Sequence, residues 1–133
     1  FIVSSAHPDA GLHGRGYVAR LTGATAEFLS MWVLMMVGSQ PFFLRDGELC
    51  LAFRPALPSW LFREDGTLSF TFLGQCKVTY HRHAASAAYP QVTAVTLHLP
   101  AGDRVSFPGA VIAAPYAAMV RDGLIRQIDM SLE

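Results

Sequence analysis

The segment with the clearest capacity for chemistry is residues 20–25, which read RLTGAT and precede a long apolar run. Thr22 and Thr25 place two hydroxyl groups around a glycine at the predicted start of a helix. The first N–H groups of a helix lack intrahelical acceptors and its dipole favours an anion, and Arg20 adds a positive charge nearby. This turn is therefore a candidate anion site. The alternative reading is that one of the two threonines only caps the helix.

The helix that follows is predicted to extend to Gly38, with Pro41 as a second stop signal. Its large apolar residues recur at three- and four-residue spacing, which indicates a broad buried face. So few of its residues are polar that the helix needs cover on nearly every side, whereas the β structure predicted after it can cover only one face. We therefore expect the rest of its cover to lie outside these residues. The spaced residues are Leu21, Phe28, Trp32, Met35 and Met36.

The remaining carboxylates offer little for acid–base chemistry. Most lie within two residues of a glycine in predicted turns, where exposure is expected. Glu27 and Asp129 are the main exceptions, and Glu27 suits the first turns of the helix better than catalysis. No nucleophile elbow, phosphate-binding P-loop, dinucleotide fingerprint or Cys-x-x-Cys pair occurs. The carboxylates in turns are Asp46, Glu64, Asp65, Asp103 and Asp122.

Two pairs of histidines could contribute to a metal site. His7 and His13 lie in the Gly- and Ser-rich first 20 residues, but no third ligand has a suitable spacing. His81 and His83 share a face if the strand that ends there continues. Ordinary loop histidines and a solvated strand end are the simpler interpretations, so we predict no metal centre.

Composition limits the classes of protein that remain. A chain of 133 residues that is 52% hydrophobic can bury one core, and its 15% of charged residues is below the roughly 25% of a free-standing domain. The formal net charge of zero gives no electrostatic argument for nucleic acid or an anionic membrane as a partner. Cys50 and Cys76 sit in apolar strand-like runs, which favours buried free thiols in a reducing compartment and hence a cytoplasmic location. The hydrophobicity and the first residue, Phe1, lead us to expect the C-terminal piece of a larger protein without a signal peptide or membrane span.

The pattern after the helix predicts a mainly β architecture. About seven short alternating runs separated by turns indicate an antiparallel β-sandwich. We expect residues 60–62, WLF, to form an apolar plug against the sheet, and Gly74 to mark a bulge or a close backbone approach. The predicted strands are residues 48–53, 67–73, 76–81, 91–99, 104–107, 110–113 and 124–132, with one short helix from Pro115 to Val120.

Five short motifs within residues 15–80 occur in an order that resembles a known family. This order is similar to the C-terminal end of the glycoside phosphorylases related to cellobiose and chitobiose phosphorylase, glycoside hydrolase family 94. Those enzymes have a Leu-Ser-Gly-Thr-Ala-like turn before the last barrel helix, an Asp-Gly-Leu-type strand, an Ile-Pro-x-x-Trp segment and a Phe-x-Gly. The counterparts are residues 21–25 (LTGAT), the helix to Gly38, and residues 46–49 (DGEL), 57–60 (LPSW) and 72–74 (FLG).

The resemblance implies two parts, a last helix of an (α/α)6 barrel within residues 1–40 and a C-terminal β-sandwich over residues 41–133. It implies an enzyme that phosphorolyses a β-linked oligosaccharide to a sugar 1-phosphate, with inorganic phosphate as co-substrate and no cofactor. Phosphate would be held by Thr22 and Gly23, or by Thr25 if the register shifts. The family's catalytic aspartate lies upstream and nothing here matches it, so no catalytic residue is assigned and the chain would not be active alone. Its partners would be the oligosaccharide, phosphate and the rest of the parent chain, with a homodimer left open.

Two departures from the family pattern keep alternatives open. Residues 27–28, EF, replace a small residue and Trp, and residues 53–54, FR, replace Ile-Asp. Residues 110–133 have no counterpart in the motifs. A hydrolase on the same scaffold, or a non-catalytic β-sandwich that binds glycan or contacts a subunit, is the competing interpretation.

Overall fold

The structure is a computed structural model that describes residues 2–16, 22–83 and 88–133, without the side chains of residues 22–24. The chain divides into two compact units, Phe1–Ser30 and Met31–Glu133. Helix α1 spans Thr22–Met36 and belongs in part to each unit. Among the described residues, no helix has both the length and the apolar character that a membrane crossing needs.

The described part of the first unit before α1 is largely irregular. A single β-bridge joins Ile2 to Gly16, and a 3-10 turn covers Ala10–Leu12. Asp9 caps this turn, because its Oδ1 accepts a hydrogen bond from the N–H of Gly11 at 2.9 Å. The fold of this segment therefore depends on local hydrogen bonds rather than on a hydrophobic core.

Gly38 ends α1 as the sequence predicts. Its N–H donates to the carbonyls of Val33 and Leu34, and its φ of 103° lies in the left-handed region that favours glycine. A Cβ at this position would lie 3.1 Å from the carbonyl oxygen of Arg54. The position thus needs glycine both for its backbone conformation and for the close approach of Arg54.

The second unit contains two β-sheets and a short helix. One sheet has the strand order β1-β2-β7 and the other has the order β3-β4-β8-β5-β6. The elements are β1 Phe42–Arg45, β2 Glu48–Ala52, β3 Thr67–Phe72, β4 Cys76–Arg82, β5 Val92–His98, β6 Arg104–Pro108, β7 Val111–Ile112, α2 Tyr116–Arg121 and β8 Gln127–Leu132.

Both sheets contribute to one hydrophobic core. Leu51 of β2 and Ile112 of β7 belong to the same buried cluster as Val78, Tyr80 and Ile128 of the larger sheet, and all five are fully buried. Alternation along each strand puts the apolar residues on one face and polar residues on the other. The unit is therefore mainly β and sandwich-like, which confirms the coarse fold prediction.

One strand pair departs from the predicted antiparallel arrangement. β8 runs antiparallel to β5 but parallel to β4, with Lys77 opposite Gln127 and Arg82 opposite Leu132. The hydrophobic pattern of β8 determines which face it buries but carries no information about its direction relative to a distant strand. The prediction of a purely antiparallel sandwich was wrong for this reason.

Two local predictions were wrong in whole or in part. Residues 59–61 form a 3-10 turn in which Trp60 is 77% exposed, whereas Leu61 and Phe62 pack partly buried against the core, so the predicted plug is wrong for Trp60 alone. Successive side chains in such a turn point about 120° apart, so the three residues of the predicted plug cannot all face one surface. Gly74 lies with φ of 70° in the tight turn between β3 and β4, and a Cβ there would contact nothing within 4 Å, so it marks neither a bulge inside a strand nor a close approach.

Strand β1 was not predicted from the sequence. Phe42–Arg45 pairs with β2 around Asp46 and Gly47, which both have positive φ as a two-residue hairpin requires. An Asp-Gly pair flanked by apolar residues on both sides was the signal for this strand. The turn itself was predicted correctly, and Cys50 and Cys76 are free and buried as expected.

Candidate functional site

The predicted anion site lies mostly outside the described side chains. Arg20 falls outside the described residues altogether. Thr22 is the first residue of α1 and Gly23 follows it within the helix. The structure describes the backbone of both residues but not their side chains. Thr25 lies in the first turn and is exposed. The helix thus begins within the predicted turn of residues 22–25, and anion binding by Thr22, Gly23 and Thr25 stays a prediction.

The outer face of the five-stranded sheet carries an ordered row of polar side chains. The strand registers align one residue from each strand, and the hydroxyls at both ends of the row pair with their neighbours: Ser69 with Thr79, and Thr96 with Ser106, each at 2.9 Å. Asp129 lies at the centre, on β8, between the two pairs. The only carboxylate of the row is therefore placed in the middle of the sheet.

Two imidazoles converge on the carboxylate of Asp129. His81 Nε2 lies 3.0 Å from Oδ1, and His98 Nε2 lies 2.5 Å from Oδ2. Gln127 adds a third donor, its amide nitrogen lying 3.2 Å from Oδ2. Because an ionised carboxylate only accepts hydrogen bonds, each imidazole donates its Nε2–H, and in the neutral ring Nδ1 is left as an acceptor. β4, β8 and β5 thus position a His–Asp–His cluster on three adjacent strands.

The electrostatics of the cluster favour the ionised form of Asp129. Partial burial raises the pKa of this carboxyl, but the hydrogen bonds from His81, His98 and Gln127 outweigh burial, so the pKa lies below its ordinary value. The side chain of Asp129 is 26% exposed, which keeps the cluster in contact with solvent. The arrangement can hold a fixed negative charge and present two imidazole acceptors to a polar ligand.

The structure pairs the histidines differently from the sequence prediction. His81 contacts Asp129 rather than acting with His83, which is exposed. His98 was placed on a strand without a role, although it and Asp129 both occupy outward positions of alternating strands, which was the available signal. Within the described ranges 2–16, 22–83 and 88–133, no group of three His, Cys, Asp or Glu residues has the geometry to hold a metal ion.

The histidines of the first unit make only local contacts. His13 Nε2 lies 2.7 Å from the carbonyl oxygen of His7, and His7 Nδ1 accepts from the N–H of Asp9 at 3.1 Å. Each ring thus stabilises the loop that carries it. These contacts agree with the interpretation of His7 and His13 as ordinary loop histidines.

A second feature of the larger unit is an apolar surface on α1. Met31, Trp32, Val33 and Leu34 are each more than 40% exposed, whereas Met36 at the end of the helix is buried. Trp32 and Val33 line an apolar groove of about 320 Å³ together with Phe42, Phe70 and Leu73. A contiguous exposed apolar patch of this kind usually marks a surface that contacts another part of a protein or a partner.

Comparison with known proteins adds no relative: neither a scan against models of protein families nor a search of curated protein sequences gave a match.

Proposed function

We propose that this chain is the C-terminal part of a carbohydrate-active enzyme that phosphorolyses a β-linked oligosaccharide to a sugar 1-phosphate, related to the family 94 glycoside phosphorylases. In this proposal α1 is the last helix of an (α/α)6 barrel, and the two-sheet unit is the C-terminal β-sandwich. The support is the ordered set of motifs together with the order of parts: one long apolar helix followed by a mainly β unit. The catalytic acid would come from upstream residues.

The observation that carries the proposal is the exposed apolar side of α1. Trp32, Val33 and Leu34 expose 43, 48 and 48% of their surface in water. Each would gain on the order of 1 kcal/mol or more from full burial. Neighbouring barrel helices would supply this burial, since helices of such a barrel pack against others on most sides. An isolated β-sandwich module would use only the buried end of this helix, at Met36, and would have no need for its exposed apolar side.

The proposed role of the chain in catalysis is to bind phosphate at the start of α1. The helix begins at Thr22, so its first N–H groups are free of intrahelical acceptors and its positive dipole end lies there. The hydroxyl of Thr22, or of Thr25 in the alternative register, would add a charge-assisted hydrogen bond. Together these groups would hold phosphate for attack on the substrate.

The test is the dependence of initial rate on phosphate concentration in the intact enzyme of which this chain is the proposed C-terminal part. Thr22→Val keeps the shape of the side chain and removes one hydrogen bond worth roughly 1.5–3 kcal/mol. The apparent phosphate affinity should fall about ten- to a hundredfold. Ser30→Ala, at an exposed hydroxyl farther along the same helix, is the matched control and should leave the affinity unchanged.

Two results would contradict the proposal. If Thr22→Val and Ser30→Ala show the same phosphate dependence, the threonine is only a helix cap. If the intact enzyme cleaves its substrate equally well without phosphate, the reaction is hydrolysis rather than phosphorolysis. The first result would reject the phosphate site at Thr22, and the second would reject phosphorolysis as the reaction.

The exposure of Trp60 favours a second candidate function, glycan contact by the β unit without chemistry. Trp60 is 77% exposed on a short turn, and an exposed indole can stack on the apolar face of a sugar ring. Trp60→Ala should abolish retention on an oligosaccharide affinity column if this function is correct. Leu124→Ala removes a side chain that is 56% exposed and serves as the control. Equal retention of both variants would exclude Trp60 as a glycan contact.

A further inference from the structure

A polar cavity of about 370 Å³ adjoins the short turn that carries Trp60, because Ser59 of this turn is one of its lining residues. Its volume falls within the range of pockets that hold small ligands, about 300–1,000 Å³. Phe62, which packs partly buried against the core, gives the cavity an apolar wall. The cavity thus combines this wall with hydrogen-bonding groups of both charges. The polar and charged lining residues are Ser59, Arg63, Glu64, Asp65 and Arg82.

The turn that supplies the two carboxylates is held in place by the backbone. The N–H of Gly66 donates to the carbonyl of Arg63 at 2.9 Å, which closes the turn, and the carbonyl of Gly66 accepts from the N–H of Arg82 at 2.8 Å. Gly66 has a φ of 75°, and a Cβ there would lie 2.6 Å from the carbonyl oxygen of Arg82. A larger residue would therefore push the turn away from the end of β4. Glu64 and Asp65 are thus positioned by the protein before a ligand arrives.

Several polar atoms of the cavity are left for a ligand. Asp65 Oδ1 is already used, because it accepts from the N–H and the hydroxyl of Thr67 at 2.9 and 2.7 Å. These bonds orient the carboxylate and lower the pKa of Asp65, so the group is ionised at neutral pH. Asp65 Oδ2, the carboxylate of Glu64 and the guanidinium of Arg63 form no hydrogen bond or ion pair within the part of the chain that the structure describes. The cavity therefore offers two acceptor groups and one donor group.

The balance of charge favours a neutral ligand over an ion. Two arginines supply positive charges and two carboxylates supply negative charges, so the formal charge of the lining is zero. An anion would meet the carboxylates, and a cation would meet the arginines. A hydroxyl group can instead donate to a carboxylate and accept from a guanidinium. Neighbouring hydroxyls on one ring therefore suit these groups, and a sugar presents such hydroxyls beside an apolar ring face.

Trp60 offers the apolar contact that such a ligand needs. It follows Ser59 directly in the chain and leaves 77% of its surface exposed. An exposed side chain contributes little to the stability of the fold, whereas an exposed indole can stack on the apolar face of a sugar ring. Residues 59–66 thus carry both the exposed indole and most of the cavity lining.

We propose that this cavity is a subsite for a neutral sugar residue of a glycan that also stacks on Trp60. Hydroxyls of the sugar donate to Glu64 and to Oδ2 of Asp65, and Arg63 donates to one of its oxygens. Because the turn holds the carboxylates in place beforehand, less conformational entropy is lost on binding. The proposal rests on the second candidate function, glycan contact by the β unit, and adds to it the polar contacts and the neutral class of ligand.

The first test measures the affinity of the intact protein for two neutral β-linked probes, cellotetraose and laminaritetraose, by titration calorimetry. Glu64→Ala removes one charged acceptor and should raise the dissociation constant of a bound probe by about tenfold or more. Glu48→Ala removes another exposed carboxylate, beside the turn between β1 and β2, and is the matched control. It should leave the dissociation constant unchanged. Tetragalacturonate, an acidic probe of the same length, should bind about tenfold more weakly than the neutral probe or not at all.

The outcomes separate the subsite from the function on which it rests. Equal affinities of Glu64→Ala and Glu48→Ala would show that the cavity does not contact the glycan, even if Trp60→Ala abolishes binding. In that case glycan contact by Trp60 stands and the subsite is rejected. Tetragalacturonate that binds as tightly as the neutral probes would also reject the subsite. If the unaltered protein binds neither neutral probe, both the subsite and the second candidate function are rejected.

The second test records binding at Trp60 itself. Trp32→Gln leaves Trp60 as the only tryptophan of the chain. Saturation with the neutral probe should shift its fluorescence emission to shorter wavelength and protect it from quenching by acrylamide, because the indole leaves water. Adding Glu64→Ala should move the midpoint of this change to an about tenfold higher probe concentration. An unchanged emission at saturation overturns the proposal, since the glycan would then not reach Trp60. Neither test measures an enzymatic rate, so both results are independent of phosphorolysis.

Discussion

Apolar side chains have opposite environments in two regions of the Met31–Glu133 unit. On the inner face of the larger sheet, Ile128, Met130 and Leu132 of β8 are completely buried. On α1, Met31 and Trp32 remain 65 and 43% exposed although they are of similar hydrophobic character. The two sheets close one core, whereas α1 has more apolar surface than the described residues cover.

The difference indicates where the free energy of folding comes from. A buried aliphatic side chain contributes about 1.5–3 kcal/mol through removal of its surface from water, and an exposed one contributes little. The β unit should therefore hold its structure through the sheet core, while the exposed part of α1 should matter for association and not for stability. Four substitutions, taken in order of decreasing effect on stability, test this contrast between the buried core and the exposed side of α1.

The largest effect is expected at the centre of the core. Ile128→Ala removes a completely buried side chain from the middle strand of the larger sheet and should lower the free energy of unfolding by about 2–5 kcal/mol. Urea denaturation followed by circular dichroism measures the change. A loss of less than about 1 kcal/mol would show that the core is loosely packed and would weaken the comparison.

A smaller loss is expected where the helix meets the core. The hydroxyl of Tyr80 donates to the carbonyl oxygen of Met36 at 2.6 Å, and burial raises the pKa of this phenol, which therefore stays protonated. Tyr80→Phe keeps the ring and leaves a buried carbonyl without its donor, which should cost about 1–3 kcal/mol. The same urea denaturation measures the change. If the free energy of unfolding does not change, another donor must replace the phenol at the Met36 carbonyl.

The third substitution addresses the outer face of the same sheet. Because the pKa of Asp129 is lower in the folded state, its contribution to stability is present above the unfolded pKa and is lost as the pH falls through the folded pKa. Asp129→Asn should cost about 1 kcal/mol at neutral pH and should remove this part of the acid sensitivity. Thermal unfolding of both proteins between pH 7 and pH 2 measures it. Parallel pH profiles would show that the cluster does not stabilise the fold.

The smallest effect on stability is expected on the exposed side of α1. Trp32→Gln should change the free energy of unfolding by no more than about 0.5 kcal/mol. We expect the isolated chain to self-associate through the exposed apolar side of α1, and Trp32→Gln should reduce this self-association because less apolar surface is exposed. Light scattering at several protein concentrations records the second change. A loss of several kcal/mol would place Trp32 in the core and contradict the contrast between the two regions.

Much of the local structure could be predicted from the sequence. Periodic apolar residues identified α1, Gly38 identified its end, and alternation identified most strands within one or two residues, as in Thr67–Phe72. Turn residues such as Asp46 and Gly47 were also recognised. These features depend on neighbours within a few positions of the chain, where backbone preferences and side-chain spacing act directly.

The His–Asp–His cluster on the larger sheet could not be predicted in the same way. His81, His98 and Asp129 are separated by 17 to 48 positions, and they meet only because β8 lies between β4 and β5. Strand order and the parallel pairing of β4 with β8 result from how distant segments share one core, which no local pattern encodes. The exposure of Trp60 has the same origin. The sequence shows which residues form strands and which faces they bury; only the packed sheets show which of those strands are neighbours.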